Sequence, residues 1–182
     1  MRIALIATTA VFALLAGCGQ SENSGSRGDF PSPKPIILAG LMPPISMTPV
    51  RKSAARKVMH ERHEGMEQIG KATKAAGRAL KSSPPDVAVI RTSAATIARL
   101  APRTTAWFPA GTGPTVGKTG AKAEIWAKPA DFAARSLAFE QAAVAFNAAA
   151  RTGDAGAMQA RFGALAKTCK GCHDSYRSEM KP

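Results

Sequence analysis

The chain has 182 residues, enough for one domain once a leader and a tether are set aside. Hydrophobic residues make up 45% but aromatics only 5%. This alanine-rich, aromatic-poor balance suggests close-packed helices around a large group that supplies the missing apolar volume. The formal net charge of +13 suggests attraction to anionic headgroups or to an acidic partner protein, weakening as salt rises.

Met1 to Gly17 read as an export signal. Arg2 is the positive n-region, and Ile3 to Leu15 form an apolar run too short to span a bilayer comfortably. Leu15-Ala16-Gly17-Cys18 resembles the lipobox of bacterial lipoproteins, where the peptidase cuts before a cysteine that receives diacylglycerol. Ordinary secretion, with Cys18 incidental, is the rival reading. The lack of a clean Ala-x-Ala site favours lipidation at Cys18. The expected location is the periplasmic side of a bacterial membrane, held there by the lipid; without the lipid it is the soluble periplasm. Export also removes nucleic acid as a partner, and no recognition motif for it appears.

Residues 18–47 form a tether. Gln20, Ser21, Asn23, Ser24, Gly25, Ser26 and Gly28 are linker residues, and Pro31, Pro33, Pro35, Pro43 and Pro44 oppose helix. Ile36, Ile37, Leu38, Leu41 and Met42 interrupt the polarity and offer packing against the domain, which spans 48–182.

Four helices follow. Thr48-Pro49 reads as the N-cap and first-turn pair of helix one. Its stripe is Val58, Met59, Arg62, Met66, Ile69, Thr73, Ala76 and Leu80. About thirty residues make it roughly 45 Å long. Ser82-Ser83-Pro84-Pro85 stops it, and a Ser-Pro pair can open helix two, with Val87, Ile90, Ala94, Ile97 and Leu100 on one face and Pro102 at its end. A loop from about Arg103 to Lys128 holds Gly111, Gly113, Pro114, Gly117 and Gly120 and is bracketed by Trp107, Phe108 and Trp126. A loop this long inside a small domain is functional or conceals structure. Pro129 opens helix three, with Phe132, Phe139, Ala143 and Phe146 on one face. Thr152-Gly153-Asp154 supplies the turn and cap before helix four, whose stripe is Met158, Phe162, Leu165, Cys169, Cys172 and Tyr176. The expected fold is all-α, an antiparallel four-helix bundle with a long loop between helices two and three.

Helix four carries the strongest signal. Cys169-Lys170-Gly171-Cys172-His173 is the attachment signature of c-type haem. Each thiol adds to one porphyrin vinyl group, so the cysteines must share a helix face about one turn apart. The adjacent imidazole then supplies the proximal nitrogen to iron. A redox dithiol and half of a zinc site are the rivals. The first wants a βαβ context and the second a further knuckle, and neither is apparent. With one covalent haem c on Cys169 and Cys172 and a lipid on Cys18, no free thiol remains in an oxidising compartment.

From Thr48 to Met180 the pattern resembles the cytochrome c′ family, class II c-type cytochromes with the haem motif on the last helix of a bundle. The resemblance rests on Cys169 to Arg177, with Tyr176 where the family often has phenylalanine. It rests also on Arg62 and Met66 in an Arg-x-x-x-Met pattern followed by Ile69 and Gly70, on Trp107 to Thr112, and on Trp126. It implies Arg62 near a haem propionate and Arg177 by the proximal pocket, with a homodimer through helices one and two. It implies Met66 on the distal side, as axial iron ligand in low-spin members or as a plug that admits only small gases such as nitric oxide or carbon monoxide. Helical phase places Met59, Met66 and Ile69 within roughly 80° of arc near Arg62, with His63 on the flank and His60 nearly opposite. Those histidines with Glu64 could bind a surface metal, but a solvated basic face is the simpler reading. No catalytic triad, paired acid/base carboxylates or phosphate loop marks an enzyme. The expected function is electron transfer through one haem, with a five-coordinate gas-binding module as the alternative.

Overall fold

The computed structural model describes residues 45–179. The export signal, Cys18 and the tether as far as residue 44 lie outside the described residues. Two long helical hairpins make the body: α1 (Lys52–Ala79) with α2 (Val87–Leu100), and α4 (Pro129–Thr152) with α5 (Ala155–Tyr176). A four-residue helix, α3 (Glu124–Ala127), precedes the second hairpin. No helix of the described residues is long and apolar enough to cross a membrane.

Spacing explains the packing. On α1 the buried positions Ala55, Arg62, Gly65, Ile69, Ala72, Ala76 and Ala79 recur at three, four or seven residues. The small side chains at the last three let α2 approach closely. On α2, Ile90, Ala94, Ile97 and Leu100 answer them. On α4, Phe132, Phe139, Ala143 and Phe146 are all buried as expected, and Phe146 meets Phe162 of α5 at 5.4 Å between ring centres. Gly153 takes a left-handed φ of 79°, which ends α4. Asp154 then caps α5 by accepting the Ala157 N–H at 2.8 Å.

The helices alternate in direction. Arg91, near the start of α2, donates to the Ala150 and Arg151 carbonyls at the end of α4, both at 3.0 Å. The start of α2 therefore lies against the end of α4. Close pairs run α1 with α2, α2 with α4, and α4 with α5, whereas α1 and α5 are not closely packed along their length. They meet near Gly77, where an added Cβ would lie 3.2 Å from Phe162 Cζ.

Three expectations change. Helix one starts at Lys52, and Thr48-Pro49 does not cap it. The backbone before the helix is taken up by the long loop: Val50 N–H donates to the Ala110 carbonyl at 3.1 Å, and Ala110 N–H to the Ser46 carbonyl at 2.9 Å. Ile45 is buried too, so the packed unit begins ahead of residue 48. Helix two is opened by Asp86, whose carboxylate accepts the Val89 N–H at 3.0 Å, and not by a Ser-Pro pair. The stretch from Arg103 to Lys128 contains the 3-10 turn Thr105–Trp107 and α3, and a further 3-10 turn, Ala101–Arg103, continues α2. Its far end is stitched to α5: Lys122 N–H donates to the Tyr176 carbonyl and Ser178 N–H to that of Gly120, at 3.0 and 2.9 Å.

Candidate haem site

Cys169 and Cys172 sit in α5, both half-buried and packed against the hydrophobic core. Three residues of helix turn them by about 300°, so the two thiols share a face one turn apart. Burial pushes both thiols above the ordinary cysteine pKa; Thr168 opposes the shift at Cys169 and the Arg135 cation opposes it at Cys172. A dithiol redox centre needs the reverse, a thiol lowered toward neutrality. Among the described residues no group of three or more His, Cys, Asp or Glu side chains could hold a metal ion. His60, His63 and Glu64 do not form such a group, and His63 lies 3.5 Å from Glu67.

His173 keeps much of its solvent exposure. Desolvation of the ring and the adjacent Arg177 cation nevertheless lower its pKa, against an opposing contribution from Asp174. The imidazole is therefore neutral at pH 7, the form in which a ring nitrogen has a lone pair to give. Arg177, His173, Asp174 and Lys122 line a surface cleft of about 940 Å³.

Ideal helix geometry relates Met66 to His173. Gly77 on α1 meets Phe162 on α5. Met66 lies eleven residues before Gly77, and His173 lies eleven residues after Phe162. Because α1 and α5 run in opposite directions, both steps travel about 16 Å the same way along the bundle and rotate each position only about 20° from the contact. Met66 and His173 thus stand at one level on the facing sides of α1 and α5. Met59 shares that side of α1, with its terminal methyl 3.3 Å from where a Cβ on Gly117 would lie.

Arg62 is only 5% exposed. Its Nη1 reaches the Trp107 carbonyl (3.4 Å) and Thr112 Oγ1 (3.3 Å), and its Nη2 the Thr112 carbonyl (3.1 Å) and Thr119 Oγ1 (3.0 Å). Its guanidinium also lies 4.7 Å above the Phe108 ring. None of the four acceptors is a carboxylate. Burial lowers the pKa to about 10, a desolvation cost on the order of 3 kcal/mol. Arg62 clasps the long loop with a charge that lacks a counter-ion.

Tyr176 is buried against Phe132 edge-on at 5.3 Å, and Phe132 in turn against Phe108 at 4.9 Å. Its hydroxyl donates to the Asp131 carboxylate. Desolvation, with that bond second, pushes the phenol up to about 12. Sequence reasoning missed Gly65, Thr112, Thr119, Asp131 and Arg135. Gly65 carried a signal, an isolated glycine inside a helical pattern, and Asp131 and Arg135 have i,i+4 spacing. Thr112 ended the aromatic and glycine-rich stretch already singled out, but its bond to Arg62, like that of Thr119, exists only once the loop has folded onto α1.

These residues fit a covalently held porphyrin. Two thiols share a face beside a neutral imidazole, and α1 and α5 are not closely packed along their length.

Comparison with known proteins points the same way. Residues 57–177 match the family model described as Cytochrome C′. A cytochrome c′ from Pararhodospirillum photometricum is 35% identical over 116 residues, which cover 64% of this chain and 92% of the relative. The solved cytochrome c prime from Shewanella frigidimarina is 32% identical with a TM-score of 0.64, covering 69% of this chain and 97% of that one. A nitric oxide complex of a leucine-to-isoleucine mutant of cytochrome c prime from Alcaligenes xylosoxidans is 28% identical, with a TM-score of 0.61 and coverage of 72% and 99%. By sequence, fold and the paired thiols of its last helix, the chain belongs to the cytochrome c′ family, whose members bind haem c covalently through cysteines.

Proposed function

We propose that this cytochrome transfers electrons through a single haem, with Cys169 and Cys172 as thioether anchors, His173 as proximal ligand and Met66 as the distal axial group. The observation that carries the reading is the register of Met66 and His173 across the space between α1 and α5. When bound, haem c supplies a one-electron iron centre. The protein holds that centre rigidly. α5 is tied to α4 and to the long loop, and Arg62 offers a desolvated cation to a propionate carboxylate, which would offset its burial cost. His/Met coordination suits electron transfer because it raises the potential.

The absorption spectrum tests this directly. The ferric protein is expected to be low-spin with a weak sulfur-to-iron band at the red edge, and Met66→Ala is expected to convert it to high-spin. A ferric protein that is already high-spin, with a ferrous form that binds carbon monoxide readily, would favour the second reading, a gas-binding module. That reading draws on the nitric oxide complex of the Alcaligenes xylosoxidans relative.

Export and lipidation belong to the same proposal. Cys18→Ser is expected to move the protein from the membrane fraction to the soluble periplasm; an unchanged distribution would remove the lipid anchor. The excess of basic residues supports an acidic protein as the redox partner.

A further inference from the structure

Asp131 and Arg135 stand one turn apart in the first two turns of α4 and form an ion pair, Arg135 Nε to Asp131 Oδ2 at 2.8 Å. Taken alone this is an ordinary helix pair. Both side chains keep 40–50% of their exposure, and such pairs add less than about 1 kcal/mol to stability. What sets it apart is where its other bonds go. Arg135 Nη1 donates to the carbonyl of Gly171 at 3.0 Å, inside the Cys169–His173 turn. The Asp131 carboxylate also accepts the hydroxyl of Tyr176, one turn further along α5. The guanidinium lies 5.9 Å from the Tyr176 ring, and its charge reaches the Cys172 thiol. The pair therefore grips α5 at two points, Gly171 inside the attachment turn and Tyr176 beyond it, with the guanidinium on the carbonyl between the two cysteines.

We propose that Asp131 and Arg135 are positioning residues for the haem. Arg135 fixes the Gly171 carbonyl and holds a positive charge at the attachment turn, Asp131 fixes the Tyr176 hydroxyl and places a negative charge beside it, and the two charges move the reduction potential in opposite directions. The inference rests on the reading of Cys169, Cys172 and His173 as the haem attachment. A cation near a one-electron acceptor favours the reduced state and an anion favours the oxidised state.

The two charges therefore act with opposite sign, and stability alone cannot imitate that. In the haem-loaded protein, Arg135→Gln is expected to lower the midpoint potential and Asp131→Asn to raise it. Both shifts should shrink at high salt, because the pair is half-exposed. Arg135→Lys, which keeps the charge but replaces the planar fork with a point donor, should recover most of the loss. The pair is at the surface, so these variants should fold, and thermal melts check that they do. Potentials that stay unchanged, or that shift in the same direction for Arg135→Gln and Asp131→Asn, would overturn the proposal. A parent protein without covalent haem would overturn the attachment reading first, and this inference with it.

Discussion

Replacing Cys169 and Cys172 together with serine is expected to leave a protein whose pigment, if any, is removed by acidified acetone and whose mass includes no haem. Each single replacement should keep one covalent bond, with the haem mass retained and an altered ferrous spectrum. The reason lies in the geometry of α5. Both thiols are half-buried on one face, held there by a helix that is capped at Asp154 and stitched to the loop at Tyr176 and Ser178. A hydroxyl has the same place but not the nucleophilicity needed to add to a vinyl carbon. Mass spectrometry of the protein made with its maturation machinery reads the result. Covalent haem in the double variant would mean that the attachment lies elsewhere.

Gly65→Ala is the second large effect, and it is expected to destabilise although alanine is the better helix former. The helix propensity gain is about 1 kcal/mol. Against it, a Cβ at Gly65 would overlap the six-membered ring of Trp107. That ring cannot retreat cheaply, because Arg62 holds the Trp107 carbonyl, the residue is buried, and Arg103 covers the ring at 5.5 Å. Overpacking of this kind costs typically 1–3 kcal/mol, and a collision this deep falls at the upper end. A net loss of about 2 kcal/mol would lower Tm by roughly 5–10 °C in a domain of this size. Gly163→Ala is the matched control. It lies within α5, and no neighbour comes within 4 Å of the added atom. Its Tm should stay level or rise. A melting curve for each variant checks the pair, and a Gly65→Ala protein as stable as the control would show that the loop is not clasped as described.

Much of the architecture was legible in the chain because it follows from local rules. Phe132, Phe139, Ala143 and Phe146 fell on one face by period, and Gly153 and Asp154 marked a turn by their conformational preferences. The start of α1 was misread for a physical reason. Thr48-Pro49 has the chemistry of a cap, but Ser46 and Val50 spend their backbone groups on Ala110, sixty residues away. A distant segment can outbid a local preference, and no local pattern announces it. Arg62 shows the same division. Its position four residues before Met66 was visible, whereas its four neutral acceptors come from a loop whose path is set by distant bonds to Ser46, Val50, Tyr176 and Ser178 and by the burial of Trp107 and Phe108.

The amino-acid order by itself determined the cofactor chemistry, because two thiols and an imidazole within five residues of helix need no distant partner to be competent. It also determined the number and phase of the long helices, since helical periodicity is written along the chain. Tertiary structure alone decided how α1 stands against α5, which loop Arg62 holds, and which charges contact the attachment turn. Those depend on the register of α5 against α1 and of α4 against α5. Register arises from the meshing of side chains far apart in the chain, such as Gly77 with Phe162 and Gly65 with Trp107, and it exists only once the helices have packed.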